Sequence, residues 1–381
     1  MKIAYFTDTF VPSMNGIVTS ILNSSKMLAA RGHKIYIFTV RPKGERCDSR
    51  LLCKNVRVIY HEGMGLINYP DFALVRPEVV RTITTIKRIR PDVIHIHTPS
   101  LVGWLALFVS SVFDIPVVGT YHTFLPDFLQ YAPLPRISRT DVAKRFTWMY
   151  TRRFYNRCDL VTTPSIAMKR ELERHGIKRK VLFISNGVDL EKFRPMRAGK
   201  TGKTVLHVGR IGYEKNINVV LKAFRELLKS HDDAKLVIAG RGPDLEKLKS
   251  YAVRLGIDKS TRFLGPVPHD ALPKLYSSAD VFVTASTIET EGLVILEAMA
   301  CGLPIVGVNA LAVPYIVKHG RNGFIAKPNR KDEIADCLKK LLDSKELRAR
   351  FGKESLRMVK RFSLDNVMDE FEKAYCSLRG K

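Results

Sequence analysis

Several familiar signatures are missing from this sequence. Its six cysteines (Cys47, Cys53, Cys158, Cys301, Cys337 and Cys376) form no Cys-x-x-Cys pair and no metal-ligand spacing. That excludes a zinc finger or a dithiol redox centre. Cys47 and Cys53 fall in a charged loop, and the others sit in apolar periodic stretches that suit small core residues. No apolar run reaches the roughly eighteen residues that a membrane-spanning helix needs. Asp-x-Asp is absent, so a carboxylate clamp on a metal-bound diphosphate has no support, and neither a metal nor another cofactor is expected. Gly-x-Gly-x-x-Gly is absent too, which weighs against nicotinamide or flavin binding. The chain opens directly on the strand-like Lys2-Ile3-Ala4-Tyr5-Phe6 with no signal-peptide pattern. The expectation is a reducing, cytoplasmic setting, with the inner membrane face open as a docking surface.

Acidic residues are scarce relative to basic ones: 37 Asp and Glu against 63 Lys and Arg, a net charge of +26. The excess is uneven. Residues 1–200 hold 32 basic and 15 acidic side chains, a net of +17, and the remainder holds 31 and 22, a net of +9. Residues 136–180 alone carry 13 basic side chains and four acidic ones. Such a field attracts polyanions, nucleic acid or an anionic membrane among them, although a solvated helix face has the same composition. No helix-turn-helix, RRM or zinc pattern accompanies the charge, so nucleic acid is not the expected partner. In the same stretch Arg145, Arg152, Arg153 and Arg157 alternate with Phe146, Trp148, Met149, Tyr150, Phe154 and Tyr155. Cations among lipid phosphates and aromatics at the headgroup boundary make an interfacial helix. The alternative turns some of those aromatics into the core.

A length of 381 residues, 45% of them apolar, is too much for one ordinary core and enough for two. Strand-like and helix-like segments alternate from end to end. Strands are expected near residues 3–6, 34–40, 93–97 and 116–121, with helices at 19–31, 78–89 and 101–112. The pattern restarts at 203–208 and continues through 217–228, 235–239, 245–255, 261–263, 279–284, 291–300 and 304–308. This is the signature of α/β units with parallel sheets and right-handed crossovers. The basic, glycine-bearing segment 196–202 interrupts it. The expected domains are therefore 1–196 and 203–361, with a last helix within 362–381 free to pack back on the first.

Four clusters lie where parallel strands end, which is where open α/β sheets bind ligands. In the first, Thr7 to Gly16, Gly16 beside a helix N-terminus offers backbone N–H groups at close range to a phosphate. A plain strand-to-helix turn would use Asn15-Gly16 as well. The second is Gly209-Arg210-Ile211-Gly212-Tyr213-Glu214-Lys215. Two cations before a helix oppose its dipole, and a bound diphosphate would resolve the conflict; solvated loop cations are the alternative. The third runs from Thr287 to Pro304. Gly292 opens a helix, apolar nearly all round, whose first N–H groups, those of Gly292, Leu293 and Val294, can also face phosphate. Glu297 lies inside that helix and needs a partner there, while Glu289 just precedes it. One glutamate suits a donor sugar and the other a ribose; helix capping and a structural ion pair are the alternatives. The fourth holds His95, His97 and His122. His95 and His97 share a strand face but lack a third ligand, and His122, just past a buried strand, is the better active-site candidate.

Together these clusters resemble family 4 of the retaining glycosyltransferases. The Glu-x7-Glu pair falls on Glu289 and Glu297, and the Gly-Arg…Lys clamp on Gly209, Arg210 and Lys215. Ser185-Asn186-Gly187-Val188-Asp189 and Gly265-Pro266-Val267-Pro268 are similar as well. The resemblance implies a GT-B fold, two Rossmann-like domains facing each other across a cleft. It also implies that Arg210 and Lys215 hold the donor diphosphate and that Glu297 binds ribose hydroxyls. Glu289 would contact the transferred sugar, Gly16 the phosphates and Val267 the base, with His122 at the sugar's reactive edge. Glu291 stands where the family usually has an aromatic. Tyr121-His122-Thr123 followed by Phe124-Leu125-Pro126-Asp127-Phe128 resembles the diacylglycerol glucosyltransferases. Asp127 is thereby placed on the acceptor side with Arg145, Arg152 and Arg153. The implied partners are a nucleotide-sugar donor, UDP-glucose first, a lipid hydroxyl, and an anionic membrane surface. GDP-mannose with an inositol or polysaccharide acceptor is the close alternative, and a nucleotide-sugar epimerase of the same architecture a remoter one.

Overall fold

Short strands that are apolar on both faces belong inside a parallel sheet, and the chain builds two such sheets. The computed structural model describes residues 1–11, 15–42, 53–66, 69–75, 78–122, 140–197, 199 and 202–379. In the first sheet β1 is Lys2–Phe6, β2 Lys34–Pro42, β3 Val56–Leu66, β4 Tyr69–Val75, β5 Val93–Ile96, β6 Val117–Thr120, β7 Leu160–Thr163 and β8 Val181–Phe183. Their spatial order is β4-β3-β2-β1-β5-β6-β7-β8, with every pair parallel except β3 and β4. The helices of this unit are α1 (Gly16–Ala30), α2 (Val79–Ile89), α3 (Leu101–Phe113), α4 (Asp141–Tyr155) and α5 (Ile166–Arg174).

The second sheet holds β9 (Thr204–Val208), β10 (Lys235–Ala239), β11 (Thr261–Gly265), β12 (Val281–Val283), β13 (Ile305–Val308) and β14 (Gly323–Ala326). Their order is β11-β10-β9-β12-β13-β14, all parallel. Its helices are α6 (Ile217–Leu227), α7 (Leu245–Arg254), α8 (Leu272–Ser278), α9 (Leu293–Ala300), α10 (Val313–Ile316), α11 (Lys331–Asp343) and α12 (Lys345–Val359), and α13 (Leu364–Cys376) ends the described chain. In each sheet the chain reverses its direction of travel once, beside β1 in the first and beside β9 in the second. Those switch points open a crevice beyond the strand ends.

The chain divides into two compact units, residues 1–186 with 364–381 and residues 187–363. Sequence placed the break ten or more residues later, in 196–202. The correction has a local cause: residues 187–196 are bonded to the second unit. Val188 N–H donates to the Phe362 carbonyl at 2.8 Å, Met196 N–H to Ser277 Oγ at 3.0 Å, and Lys192 Nζ reaches Asp270 at 2.5 Å.

Helix α13 packs with the first unit because it presents Leu364, Val367, Met368, Phe371, Ala374 and Tyr375 on one buried face. Arg31 at the end of α1 ties it down through Asp369 at 2.6 Å and Glu372 at 2.8 Å. Inside, the Tyr375 hydroxyl lies 2.7 Å from His95 Nδ1, and His95 Nε2 lies 2.5 Å from Thr120 Oγ1. Tyr375→Phe strips a buried imidazole nitrogen of its partner. The expected loss is about 1 to 3 kcal/mol in urea unfolding of the first unit, and a neutral result would show the network to be dispensable.

Candidate functional site

Close backbone packing sets the floor of the second unit's crevice. Gly240 takes φ 143, and a Cβ there would strike the Gly209 carbonyl; a Cβ on Gly242 would strike the backbone of Ile211. The loops after β9 and β10 therefore touch main chain to main chain. Gly209 N–H donates to the Ala239 carbonyl at 3.0 Å and Ile211 N–H to the Arg241 carbonyl at 2.9 Å. Arg210, half-buried, leaves this floor directly after Gly209. Asn216 adopts the left-handed conformation at φ 49, and its Nδ2 donates to the Ala285 carbonyl and Thr287 Oγ1, both at 3.3 Å. That bond binds the loop after β9 to the loop after β12.

The two loops bring Lys215 and Glu289 together. Lys215 Nζ donates to Glu289 Oε1 at 2.5 Å, with the side chains 18% and 9% exposed. Burial pushes the Glu289 carboxyl up, but the Lys215 charge and hydrogen bond outweigh it and hold Glu289 below its ordinary value. Sequence assigned these residues to separate contacts, one to diphosphate and one to sugar; the structure joins them as an ion pair. Glu289 is also fixed through its backbone, its carbonyl accepting from Ala312 N–H at 3.1 Å.

Next along the chain, Gly292 at φ 85 turns the loop into α9. Its carbonyl takes the Ile295 and Leu296 N–H groups, so the N–H groups of Gly292, Leu293 and Val294 have no helical acceptor. Leu293 and Val294 are half-buried while Ile295 to Ala300 are buried, which leaves the helix start open. Such an end favours an anion through both its N–H groups and its dipole. Glu291 is buried, 4% exposed.

One helical turn further on, Glu297 is 9% exposed and its Oε2 accepts from the Tyr276 hydroxyl at 2.8 Å. Burial drives its pKa up to about 7, against the Tyr276 hydrogen bond and the Lys192 charge. Val267, half-buried, follows β11, and His269 two residues later places Nε2 at 3.9 Å from Glu297 Oε1. Sequence reading did not include Tyr276, His269 or His207. Histidine in a buried strand two residues before Gly209 is a usable signal for His207. Its Nδ1 donates to the Val283 carbonyl at 2.9 Å, and burial lowers its pKa to about 4. The ring is thus neutral, with Nε2 left as a lone-pair acceptor that has no partner among the described residues.

The first unit holds the remaining candidates. Asn15 caps α1, its Oδ1 accepting from the Ile17 and Val18 N–H groups at 3.0 Å each. Those two donors are therefore spent, and Gly16, exposed, retains the free end of the helix. Burial raises Asp8 to about 7, against hydrogen bonds from Thr98 and Val102. His122 is 8% exposed and its Nε2 lies 3.0 Å from His97 Nδ1. Burial lowers His122 to about 3, so both rings are neutral and exchange a single proton-bearing contact. Among the described residues no cluster of three His, Cys, Asp or Glu side chains is arranged to hold a metal. Asp127, like Arg136, Arg139 and Cys47, lies outside the described residues.

Helix α4 answers the question of which aromatics turn outward. Phe154 and Tyr155 are buried, Trp148 stacks on His175 at 3.7 Å, and Tyr150 accepts from Trp104 Nε1 at 3.0 Å. Val142, Phe146 and Met149 are 75%, 62% and 49% exposed. Arg145, Arg152, Arg153 and Arg157 are exposed beside them, with Arg157 lying 5.3 Å over Trp104. No described helix is long and apolar enough to cross a membrane.

Known proteins resemble the chain along nearly its whole length. The pattern described as "Glycosyltransferase Family 4" matches residues 14–192, and "Glycosyl transferases group 1" matches residues 189–358. The alpha-monoglucosyldiacylglycerol synthase of Streptococcus pneumoniae is 33% identical over 321 residues, 80% of this chain and 70% of that one. A GDP-mannose-dependent alpha-mannosyltransferase of Mycolicibacterium smegmatis is 27% identical, over 85% of this chain and 84% of its own. In three dimensions, Anabaena HepE in complex with UDP superposes with a TM-score of 0.79 at 19% identity, covering 99% and 100% of the two chains. The two parallel sheets are thus those of the GT-B fold, and the chain is a glycosyltransferase belonging to family 4.

Proposed function

We propose that the enzyme moves glucose from UDP-glucose to the hydroxyl of a diacylglycerol-like lipid, with retention and without a metal, at the cytoplasmic face of an anionic membrane. The outer face of α4 carries the lipid part of this reading: Val142, Phe146 and Met149 are exposed on a helix that also exposes Arg145, Arg152 and Arg153, with Arg157 exposed just past its end. Helix α3 adds Leu101, Phe108 and Val112, 48%, 51% and 52% exposed. Apolar side chains at the headgroup boundary with arginines among the phosphates suit an interfacial helix, each cation adding about 1 kcal/mol near an anionic leaflet. The pneumococcal relative, named for a glucosyl lipid, supports the same acceptor class.

On the donor side, Gly209, Arg210 and the N–H groups of Gly292, Leu293 and Val294 cradle the diphosphate, while Glu297 takes ribose hydroxyls and Val267 flanks the base. The arriving diphosphate draws Lys215 away from Glu289, which frees that carboxylate for the sugar hydroxyls. Charge grows on the departing diphosphate, and fixed cations and N–H groups stabilise it there. Gly16 approaches the phosphates, and neutral His122 contacts the sugar at its reactive edge. Asp127 is assigned to the acceptor side.

The test supplies labelled UDP-glucose and GDP-mannose separately, with diacylglycerol vesicles of varied anionic content. The expected outcome is glucose in the lipid fraction, stimulated by anionic lipid and unchanged by EDTA. Converting Arg145, Arg152, Arg153 and Arg157 to Ser is expected to weaken vesicle sedimentation and spare UDP affinity. Mannose transfer instead, in line with the mycobacterial relative, would favour the GDP-sugar reading. Sedimentation indifferent to lipid charge would remove the membrane.

A further inference from the structure

Glu297 has company on the side away from Tyr276. His269 closes on Glu297 Oε1 with Nε2 at 3.9 Å, and Lys192 Nζ stands 2.6 Å from His269 Nδ1. An ammonium group can only donate, so Nδ1 must be the acceptor of that bond. Burial, then the Lys192 charge, lowers the His269 pKa. The ring is accordingly neutral, with its single proton on Nε2, the nitrogen that faces Glu297. Lys192 is itself anchored by Asp270 at 2.5 Å, and Phe193 meets the His269 ring edge-on at 5.4 Å. The tautomer and the ring orientation are therefore both fixed by neighbours in the same unit.

Neither Nε2 of His269 nor Oε1 of Glu297 has a hydrogen-bond partner among the described residues. His269 is 38% exposed, so the pair opens to an incoming group. With Glu297 ionised, one group donates and the other accepts. An oxygen placed about 2.8 Å from both would see them at roughly 90°, a geometry that one hydroxyl satisfies by accepting from Nε2–H and donating to the carboxylate. A fully ionised phosphate has no proton to donate to Oε1, and an ammonium has no lone pair for Nε2–H. A hydroxyl is the group that fits.

We propose that His269, its tautomer set by Lys192, is a specificity-determining residue that binds one hydroxyl of the donor's ribose jointly with Glu297. This rests on the reading of Glu297 as the ribose-binding carboxylate. The donor is then selected as a ribonucleotide: a deoxyribose lacking that hydroxyl forgoes the paired contact to Nε2–H and Oε1 and leaves the Glu297 side chain, 12% exposed, without it.

Calorimetry with UDP, 2′-deoxy-UDP and 3′-deoxy-UDP tests it, alongside nitrogen-detected NMR of the imidazoles. The wild type is expected to bind one deoxy analogue at least tenfold more weakly than UDP. In His269→Ala that preference should shrink by roughly tenfold, mostly through weaker UDP binding. The NMR spectrum should show His269 as the Nε2–H tautomer in the wild type and a mixture in Lys192→Met. Equal affinities for all three nucleotides in the wild type, an undiminished preference in His269→Ala, or the Nδ1–H tautomer in the wild type would each overturn the proposal. A wild type that binds no UDP at all would instead remove the donor reading on which it stands.

Discussion

Glu289→Gln is expected to abolish sugar transfer and to destabilise the second unit. Its residue sits on a loop, from which sequence alone would suggest a substitution harmless to the fold. The structure argues otherwise, because Glu289 is paired with Lys215 at 2.5 Å and both side chains are largely buried. Removing one charge of such a pair leaves the other uncompensated, typically at about 3 to 5 kcal/mol. The double variant Glu289→Gln with Lys215→Met removes both charges and should recover most of that loss while remaining inactive. The pH dependence follows the same pair. The folded-state pKa of Glu289 lies below its ordinary value, so the stabilisation is present above about 4.5 and is lost as pH falls through the folded value. Thermal melting and turnover together check these statements. Unchanged turnover in Glu289→Gln would take Glu289 out of the mechanism, and an unchanged melting temperature would show that the ion pair is not load-sharing in the fold.

Glu297→Gln should act in the opposite direction on stability. Burial raises Glu297 from 4.5 to about 7, so the folded state holds that proton more tightly than the unfolded state does. Stability therefore declines as pH rises from about 4.5 to about 7, and the deficit at pH 8 amounts to roughly 3 kcal/mol. An amide of the same shape removes the deficit and still accepts from the Tyr276 hydroxyl. The variant is expected to melt higher than the wild type at pH 8, with the gain shrinking toward pH 4.5. It should also bind UDP about tenfold more weakly, since a neutral amide is the poorer acceptor for ribose hydroxyls. Stability would thus be gained where function is lost, as expected for a strained binding carboxylate. A variant that melts at the wild-type temperature at pH 8 would mean that Glu297 is not held in an unfavourable environment.

Much of this was legible from residues alone because, β3 and β4 apart, the strands of both sheets pair parallel. Runs such as Val205-Leu206 and Val281-Phe282-Val283 leave no polar face, and the loops after them hold the glycines and charges. Strands β3, β4, β7, β8 and β14 were not expected; β4 lies at the sheet edge and is the antiparallel member among the described strands. Helices α11 and α12 follow the last strand, so the strand–helix alternation does not demand them. Yet α11 has a clear apolar face in Ile334, Leu338 and Leu341, and Ser344 caps α12 by accepting from Leu347 N–H. The site divides in the same way. Arg210 stands out because it follows Gly209, Gly292 because it opens α9, and Lys215 and Glu289 because they are charges in the loops just before helices. Tyr276 reaches Glu297 across 21 residues of sequence, and Lys192 reaches His269 across 77, so only tertiary packing reveals them.

The central claim is that the switch point of the second sheet is the donor site, and a crystal structure with UDP bound tests it most directly. The diphosphate should lie within hydrogen-bonding reach of Arg210 and the Leu293 and Val294 N–H groups, with Lys215 drawn off Glu289 and a ribose hydroxyl on Glu297. UDP bound elsewhere, with the Lys215–Glu289 pair intact and Glu297 untouched, would contradict the account.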